Sequence, residues 1–372
     1  MHEIKEMKMI SRRQVVLGGA AAVALPTLAA CGSNANYEEA ARLTWRHSSP
    51  QTSDRAATLR ELVRYATLAP SSHNTQCWKF RIEAGAIHIV PDFSRRCRAV
   101  DPDDHHLFVS LGCATENLVL AALANGLRAE ASVGANGADG ITLNLEPTTA
   151  IASPLFQAII DRQSTRGDYD GKPLTADELG LLRKAGSGSG VRVMLMTDRP
   201  AMETVLEYVV SGNSAQMNDA AFVAELKAWI RFSESEAVAA GDGLFSGATG
   251  NPRVPSWIGR PLMNLFFTEK SENEKYARHI RSSAGVAVFV SAGNDKANWI
   301  EAGRCYERFA LQATALGIRN ALLNQPVEAA AIRPQFAAWL GVASLRPDMV
   351  VRFGRGPKMP QSLRRPVAAV LV

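Results

Sequence analysis

Two long apolar segments dominate the hydrophobic pattern of this 372-residue chain. Residues 105–130 are apolar on nearly every side, with Glu116 and Asn117 as the main interruptions, and residues 298–323 have the same design. A helix that is apolar all round is buried, whereas a surface helix keeps a polar face. The pattern therefore predicts two buried central helices.

The two apolar segments also share the positions of their glycines. An offset of 191 residues separates Gly112 from Gly303, and the same offset separates Gly126 from Gly317. Small residues on one side of a helix allow a second backbone to approach closely. The matched spacing predicts a duplicated unit that is packed against its own copy.

Alternating apolar and polar residues predict strands around both helices. Residues 79–93 have the pattern of a hairpin that turns at Glu83–Gly85, and a capping box from Thr175 to Glu178 begins another helix, which is followed by the sequence AGSGSG. Strand patterns in the second half occupy residues 191–197, 286–291, 349–354 and 368–372. These elements predict an α+β fold built from two tandem, unequal halves.

The pattern also suggests how the chain is divided. Residues 1–30 are expected to be a leader, and residues 31–54 a polar tether. The first half of the fold is expected at 55–155 and the second at 156–372. A Gly- and Pro-rich amphipathic segment at about 199–274 has no counterpart in the first half, which predicts an inserted lid.

The leader carries two export signals. Arg12 and Arg13 precede an apolar run that is too short for a membrane span, and this arrangement resembles a twin-arginine export signal. The sequence LAAC, which ends at Cys31, resembles a lipobox whose cysteine becomes lipidated. These signals predict twin-arginine export to the periplasm and membrane attachment through Cys31. The alternative is an ordinary cleaved leader with an incidental cysteine.

Composition and spacing exclude several functional classes. The formal net charge is +5, but no basic run alternates with aromatic residues, so we expect no nucleic-acid partner. The sequence contains no Cys-x-x-Cys pair, catalytic triad elbow or phosphate-binding glycine loop. His105 and His106 are adjacent and should point apart on a helix, so we expect no metal site. Asp101, Asp103 and Asp104 are expected to cap that helix.

The loop at residues 71–76, SSHNTQ, contains several polar side chains between a predicted helix and a predicted strand. Asn74 and Gln76 offer both donors and acceptors, which suits the edge of a heteroaromatic ring or sugar hydroxyls. An Asx-type turn that precedes the strand would use the same residues. The sequence pattern leaves both interpretations open.

Basic residues cluster at two places in the second half. Arg162, Ser164 and Arg166 alternate along the chain, so two guanidinium groups and a hydroxyl can face one side. A phosphate dianion needs several such donors, and Arg364 or Arg365 could complete the set. A solvated charged loop is the alternative for the alternating cluster taken alone.

These clusters together resemble the motifs of one family. The sequence APSSHNTQCW resembles the Pro-Ser-Ser-x-Asn-x-Gln-Pro-Trp signature of the nitroreductases, which are flavoenzymes that bind FMN at a homodimer interface. RQSTR resembles the family's Arg-x-Ser-x-Arg/Lys phosphate motif, and RRP near the C-terminus resembles its basic pair. Cys77 departs from the family's proline, which changes the local stiffness. The resemblance implies a nitroreductase-like fold.

The order of the motifs implies a fused dimer. In family dimers one subunit supplies the phosphate arginines and its partner supplies the Ser-Ser-x-Asn loop. Here the loop lies in the first half and the arginines in the second, while AGSGSG stands where a second loop would be. The chain therefore resembles the Acg-type subgroup of exported, fused nitroreductase-like proteins. This resemblance implies an intramolecular pseudo-dimer with one FMN site at its seam.

The resemblance also assigns roles to residues. The arginine clusters are expected to hold the FMN phosphate, and the loop its ribityl chain and pyrimidine edge. The segment 323–325 is expected beside flavin N5. Because the chemistry of these enzymes takes place on the flavin, no side chain is expected to be catalytic. The expected FMN-binding residues are Ser71, Ser72, Asn74, Gln76, Arg162, Ser164, Arg166, Leu323, Asn324, Gln325, Arg364 and Arg365.

Two functions follow from this resemblance. The first is an FMN-dependent oxidoreductase that takes electrons from a small-molecule donor and passes them to a quinone, a nitro compound or a similar acceptor. The second is a protein that sequesters or stores FMN with little turnover. A fold retained without flavin is a third interpretation. Because the seam replaces the usual dimer interface, we expect a monomer.

Overall fold

The computed structural model describes residues 30–48, 54–134 and 140–372. Residues 1–29 of the leader predicted at 1–30 lie outside this part, and nothing in the structure tests the export and lipidation predictions. The described residues form an α+β fold in which two four-stranded antiparallel sheets flank a pair of buried helices. The α+β fold class expected from the sequence is confirmed.

The first half contains one antiparallel sheet and its helices. Its strands have the order β1-β2-β4-β3. β1 and β2 form the predicted hairpin around Glu83–Gly85. The elements are α1 (Ala30–Thr44), α2 (Arg55–Thr67), β1 (Trp78–Ile82), β2 (Ala86–Pro91), α3 (His105–Ala124), β3 (Leu127–Val133) and β4 (Ile141–Pro147).

The second half repeats this plan around an insertion. It begins with α4 (Pro154–Ala158), α5 (Ala176–Ala185) and β5 (Val191–Met196). The insertion then contains α6 (Arg199–Met217), α7 (Ala220–Trp229), β6 (Ile230–Arg231), α8 (Glu234–Ala240), β7 (Leu244–Phe245), α9 (Ser256–Phe266) and α10 (Glu269–Arg281). The remaining elements are β8 (Gly285–Ser291), α11 (Lys296–Ala315), β9 (Arg319–Leu322), α12 (Gln325–Glu328), α13 (Arg333–Trp339) and β10 (Pro347–Gly354).

The sheet topology supports the duplication. The second sheet has the order β5-β8-β10-β9, which matches β1-β2-β4-β3 when the strands are numbered within each half. The insertion lies between β5 and β8, where the first half has only the tight turn between β1 and β2. It extends to α10, slightly beyond the predicted lid at 199–274, and we call residues 197–284 the lid below.

The two central helices cross at their matched glycines. A Cβ atom on Gly112 of α3 would lie 2.0 Å from the backbone oxygen of Ile300, and a Cβ atom on Gly303 of α11 would lie 2.0 Å from that of Val109. Only glycine permits so close an approach of two helix backbones. α3 is the one helix among the described residues that is long and apolar enough to span a membrane, and it is mostly buried against α11.

Both helix predictions were too long at their C-terminal ends. α3 ends at Ala124 and α11 at Ala315, and each is followed within a few residues by a strand. Gly126 (φ +73°) and Gly317 (φ +71°) adopt the left-handed conformation just after the helices. Such glycines commonly terminate helices, so this second matched pair marks chain reversals and not the helix crossing.

Two other predictions differ from the structure. Ala30–Thr44 form α1 in place of a polar tether, because Tyr37 is buried among lid residues and the indole of Trp45, just after the helix, donates to the Ser362 carbonyl at 2.9 Å. The C-terminal strand predicted at 368–372 is reduced to a bridge from Leu371 to Phe80. The division between residues 155 and 156 stays a prediction.

Candidate functional site

The loop at residues 71–76 connects α2 to β1 in an unusual backbone conformation. His73, Asn74 and Gln76 have positive φ angles of 48°, 53° and 54°, which non-glycine residues adopt rarely and at some cost in free energy. The Ser71 hydroxyl accepts a hydrogen bond from the backbone N–H of Gln76 at 2.9 Å. The loop therefore needs support from the residues around it.

That support comes from the lid and the C-terminal segment. The side-chain amide of Asn74 donates to the Gly243 carbonyl at 3.0 Å, and the side-chain amide of Gln76 donates to the Gly241 carbonyl at 2.8 Å. The Gln76 side-chain oxygen accepts from the backbone N–H of Arg365 at 2.9 Å. These two side chains thus fix the loop to the second half of the chain.

The alternating arginine segment lies beside β9 and contributes two different guanidinium groups. Arg162 is buried, donates to the Leu68 carbonyl at 3.1 Å and lies 3.4 Å from a Glu307 carboxylate oxygen, while its Nη1 atom has no hydrogen-bond partner. Arg166 makes no ion pair within the described part of the chain, and burial lowers its pKa. An unpaired guanidinium that is partly buried is unfavourable unless an anion joins it.

The two arginines near the C-terminus, Arg364 and Arg365, have different surroundings. Arg364 is buried and donates to the carbonyls of Thr67, Leu68 and Ala69 and to the side-chain oxygen of Asn74. Burial, together with the nearby positive charge of Arg162, lowers the pKa of Arg364 to about 9. Arg365 donates to the Gln76 carbonyl at 2.6 Å and lines neither cavity described below.

Two adjoining cavities bring the predicted residues of both halves together. The smaller cavity, of about 60 Å³, and the larger one, of about 230 Å³, share Ser71, Arg166, Leu244 and Leu322 in their walls. Predicted residues in the smaller wall are Ser71, Asn74, Arg162, Ser164, Arg166 and Arg364. Predicted residues in the larger wall are Ser71, Ser72, Arg166, Leu323, Asn324 and Gln325. Gln76 and Arg365 line neither.

The smaller cavity has the electrostatics of an anion site. Three guanidinium groups, of Arg162, Arg166 and Arg364, line it, and the neighbouring carboxyl is that of Glu307. Burial raises the pKa of Glu307 to about 7, although Arg162 opposes this shift. Positive charges therefore outnumber negative ones, and the unpartnered Nη1 of Arg162 remains to be satisfied. This donor set fits the phosphate group of a mononucleotide.

The larger cavity has a floor formed by the segment between β9 and α12. The Leu323 amide donates to the Val350 carbonyl at 2.8 Å, and the Asn324 side-chain oxygen accepts from the Val350 amide at 3.0 Å. These bonds hold the segment rigidly. The side-chain oxygen of Gln325 is buried without a hydrogen-bond partner, so a ligand donor in this cavity could satisfy it.

Glu328, at the end of α12, also lies in the wall of the larger cavity, and the sequence pattern assigned no role to it. Burial raises the pKa of its carboxyl, which accepts a hydrogen bond from the Gln216 side chain of the lid at 2.7 Å. It therefore links the lid to the floor of the cavity. Its position three residues after Gln325 was the signal that could have identified it.

Lid residues form about half of the wall of the larger cavity, and sequence analysis assigned none of them. They include apolar side chains such as Phe222 and Phe267 and polar ones such as Lys275, Tyr276 and His279. No short motif marks them, because their proximity to the cavity arises from the fold of the lid. Only the prediction that this segment is a lid pointed to them.

The adjacent histidines of α3 form a buried polar cluster instead of pointing apart. His105 Nε2 lies 3.0 Å from a carboxylate oxygen of Asp348, and His106 Nε2 lies 3.1 Å from the backbone oxygen of the same residue. The prediction of divergent rings was wrong because Asp348 interacts with both. Asp101 accepts from the amides of His106 and Leu107, as expected of a helix cap. The prediction was wrong for the other two aspartates, because the side chain of Asp104 makes no capping hydrogen bond and Asp103 pairs with Arg346.

Comparisons with known proteins support the resemblance read from the motifs. No protein-family model matches the chain. "Putative NAD(P)H nitroreductase Rv3131" of Mycobacterium tuberculosis is 23% identical over 330 residues, which cover 85% of this chain and 91% of that protein. "Putative NAD(P)H nitroreductase acg" of the same organism is 24% identical over 347 residues, covering 86% and 97%. The predicted similarity to nitroreductases, and to the Acg type, is confirmed.

Solved nitroreductases are also similar to this chain. A nitroreductase with bound FMN from Bacteroides fragilis NCTC 9343 aligns with a TM-score of 0.34 and 15% identity. The alignment covers 55% of this chain and 89% of that one.

Proposed function

We propose that this protein is an oxidoreductase of the nitroreductase type that binds one FMN between its two halves. The observation that carries this proposal is the meeting of Ser71 from the first half with Arg166 from the second in the walls of both cavities. The unbalanced positive charge of the smaller cavity favours a phosphate, and the adjoining larger cavity would accommodate the flavin ring.

Each part of the site has a role in this proposal. Arg162, Ser164, Arg166 and Arg364 would hold the phosphate, Ser71 and Ser72 the ribityl chain, and residues 323–325 one edge of the ring. When bound, FMN would supply two-electron transfer between a reduced nicotinamide and an acceptor. The chain itself would orient the cofactor, and the lid would exclude water from the larger cavity.

The decisive experiment is an anaerobic titration of the purified protein with NADH and NADPH while the visible flavin absorbance is recorded. We expect a yellow protein whose flavin bands bleach on titration and return when a quinone or a nitro compound is added. A colourless protein whose melting temperature does not rise with added FMN would contradict the proposal, because the cavities then do not bind the cofactor.

A second candidate function, FMN sequestration, is favoured by one feature of the lid. Phe222, Leu226, Ile230 and Phe267 line the larger cavity on the lid side, where they would restrict the approach of a donor or acceptor. A sequestering protein would be yellow but would not bleach with either nicotinamide. The same titration therefore distinguishes the two functions.

We also propose that the protein is exported by the twin-arginine route and acts as a lipid-anchored monomer in the periplasm. The support is the Arg12-Arg13 pair and the LAAC sequence ending at Cys31. Replacing both arginines by lysine should stop export, and Cys31→Ser should make the attachment to the membrane fraction reversible by high salt. Light scattering of the released protein tests the monomer, since a dimer mass would contradict it.

A further inference from the structure

Helix α9 of the lid exposes an apolar side instead of a polar one. Trp257, Pro261 and Leu265 follow one another at intervals of four residues, so they lie along one side of the helix. Trp257 is 75% exposed, Leu265 67% and the adjacent Phe266 64%. Large apolar side chains that are exposed together mark an interaction surface more often than scattered ones do. We call these four residues the α9 patch.

The opposite side of α9 is packed on the lid, so the orientation of the helix is fixed by close contacts. A Cβ atom on Gly259 would lie 2.4 Å from the ring of Phe232. Met263 and the neighbouring Phe267 are half-buried and line the cavity below the helix. The apolar side is therefore presented outward by a well-packed helix.

Basic residues border the α9 patch. Arg260 lies on the helix beside it, Lys270 follows the helix, and Lys227 donates to Asn264 at 2.7 Å. None of the three makes an ion pair within the described ranges. The nearby acidic residues are Glu269, which accepts from Ser214, and Glu272, which pairs with Lys275. An apolar helix side with basic neighbours is complementary to a bilayer with anionic headgroups.

An apolar cavity of about 340 Å³ lies directly beneath α9. Val254, Leu262 and Met263 are among its lining residues. It shares Ile230, Asn251, Phe267 and Glu272 with the larger cavity of the candidate functional site. The two cavities therefore adjoin, which connects the underside of α9 to the proposed flavin site.

We propose that α9 docks on the surface of an anionic phospholipid bilayer and that the cavity beneath it accepts a lipophilic quinone dissolved in that bilayer. Trp257 would lie at the headgroup level, and Leu265 and Phe266 would enter the acyl boundary. The docking part stands independently, whereas the role of the quinone as acceptor rests on the proposed oxidoreductase function.

The test uses the full chain carrying Cys31→Ser, so that no lipid is attached, and vesicles of phosphatidylcholine with or without phosphatidylglycerol. We expect binding to the anionic vesicles, weakened by salt, and at least about tenfold weaker binding after Trp257→Ser with Leu265→Ser. A matched control is Ile151→Ser with Leu181→Ser, which changes two exposed apolar residues elsewhere and should leave binding unchanged. Every variant keeps the same N-terminus, so differences report the patch.

Hydrogen–deuterium exchange provides a local readout. Vesicles should slow exchange in residues 254–267. Quinone binding in the cavity beneath α9 is measured separately, and a short-chain quinone should quench tryptophan fluorescence less after Met263→Lys. Vesicle binding that ignores the patch substitutions, without protection of α9, would overturn the docking proposal. A dimer that Trp257→Ser dissociates in the absence of vesicles would also overturn it, because a second copy then covers the patch. A colourless protein that still binds vesicles would reject the proposed flavin function alone.

Discussion

Gly112 and Gly303 occupy equivalent positions on the two central helices, and each lies against a backbone carbonyl of the other helix. The oxygen of Ile300 occupies the place of a Cβ on Gly112, and the oxygen of Val109 occupies the place of a Cβ on Gly303. This reciprocal contact lies at the seam of the two halves. Both cavities of the candidate site also draw residues from the two halves.

Alanine at either glycine should therefore separate the helices. We expect Gly112→Ala or Gly303→Ala to lower the free energy of unfolding by at least about 1–3 kcal/mol, the usual cost of overpacking, since the contacting atoms are backbone and cannot rotate away. Gly180→Ala in α5 is the matched control, because no atom lies within 4 Å of its added methyl group. That change should stabilise the helix by up to about 1 kcal/mol. Urea denaturation measures the free energy of unfolding of the three variants. Equal changes in Gly112→Ala, Gly303→Ala and Gly180→Ala would contradict the close crossing of the helices.

The sequence was sufficient to predict this crossing but not the ends of the helices. A period of 191 residues identified both glycine pairs, yet Gly126 and Gly317 act in a different way from Gly112 and Gly303. Apolar residues continue from α3 into β3 and from α11 into β9, so hydrophobicity alone does not show where the helix ends. The left-handed backbone conformation that terminates each helix is known only from the structure.

The sequence predicted the residues that line the cavities better than it predicted the residues that hold the surrounding loops in place. The sequence identified Arg166 and Ser71, which line both cavities. It also grouped Gln76 and Arg365 with the cofactor-binding residues, although their hydrogen bonds in the structure run to the chain itself. Polar residues of a motif can serve a ligand or the loop that surrounds it, and the sequence pattern is the same in both cases.

Removing the Arg166 charge should weaken cofactor binding without unfolding the protein. Arg166→Gln should reduce FMN affinity by about tenfold to a hundredfold, the usual effect of losing a hydrogen bond to a charged group. The FMN-free protein should be equally stable or more stable, because burial disfavours this charge. Fluorescence titration with FMN and thermal denaturation measure the two effects, with the exposed Arg192→Gln as the control. Wild-type FMN affinity in Arg166→Gln would remove this residue from the site.

Gln76 should act mainly on stability. Gln76→Ala removes the donor to the Gly241 carbonyl and the acceptor for the Arg365 amide, so two polar groups lose their partners at about 1–3 kcal/mol each when they remain buried. Gln335→Ala, at an exposed position in α13, should change the free energy of unfolding by less than about 0.5 kcal/mol. If Gln76→Ala instead alters the flavin spectrum and leaves stability unchanged, Gln76 contacts the cofactor directly.

The buried carboxyl of Glu307 should make stability depend on pH. Its pKa is raised from 4.5 to about 7 by burial, so the folded protein retains a proton that the unfolded chain releases above pH 4.5. The resulting stabilisation is complete below pH 4.5 and is lost as the pH rises through 7, with a total of order 3 kcal/mol. Glu307→Gln, which cannot ionise, should lack this decline. Denaturation of both proteins between pH 4.5 and 8 measures it, with the exposed Glu130→Gln as the control. Parallel curves for wild type and Glu307→Gln would show that Glu307 stays ionised beside Arg162 throughout, which would lower the net positive charge around the smaller cavity by one.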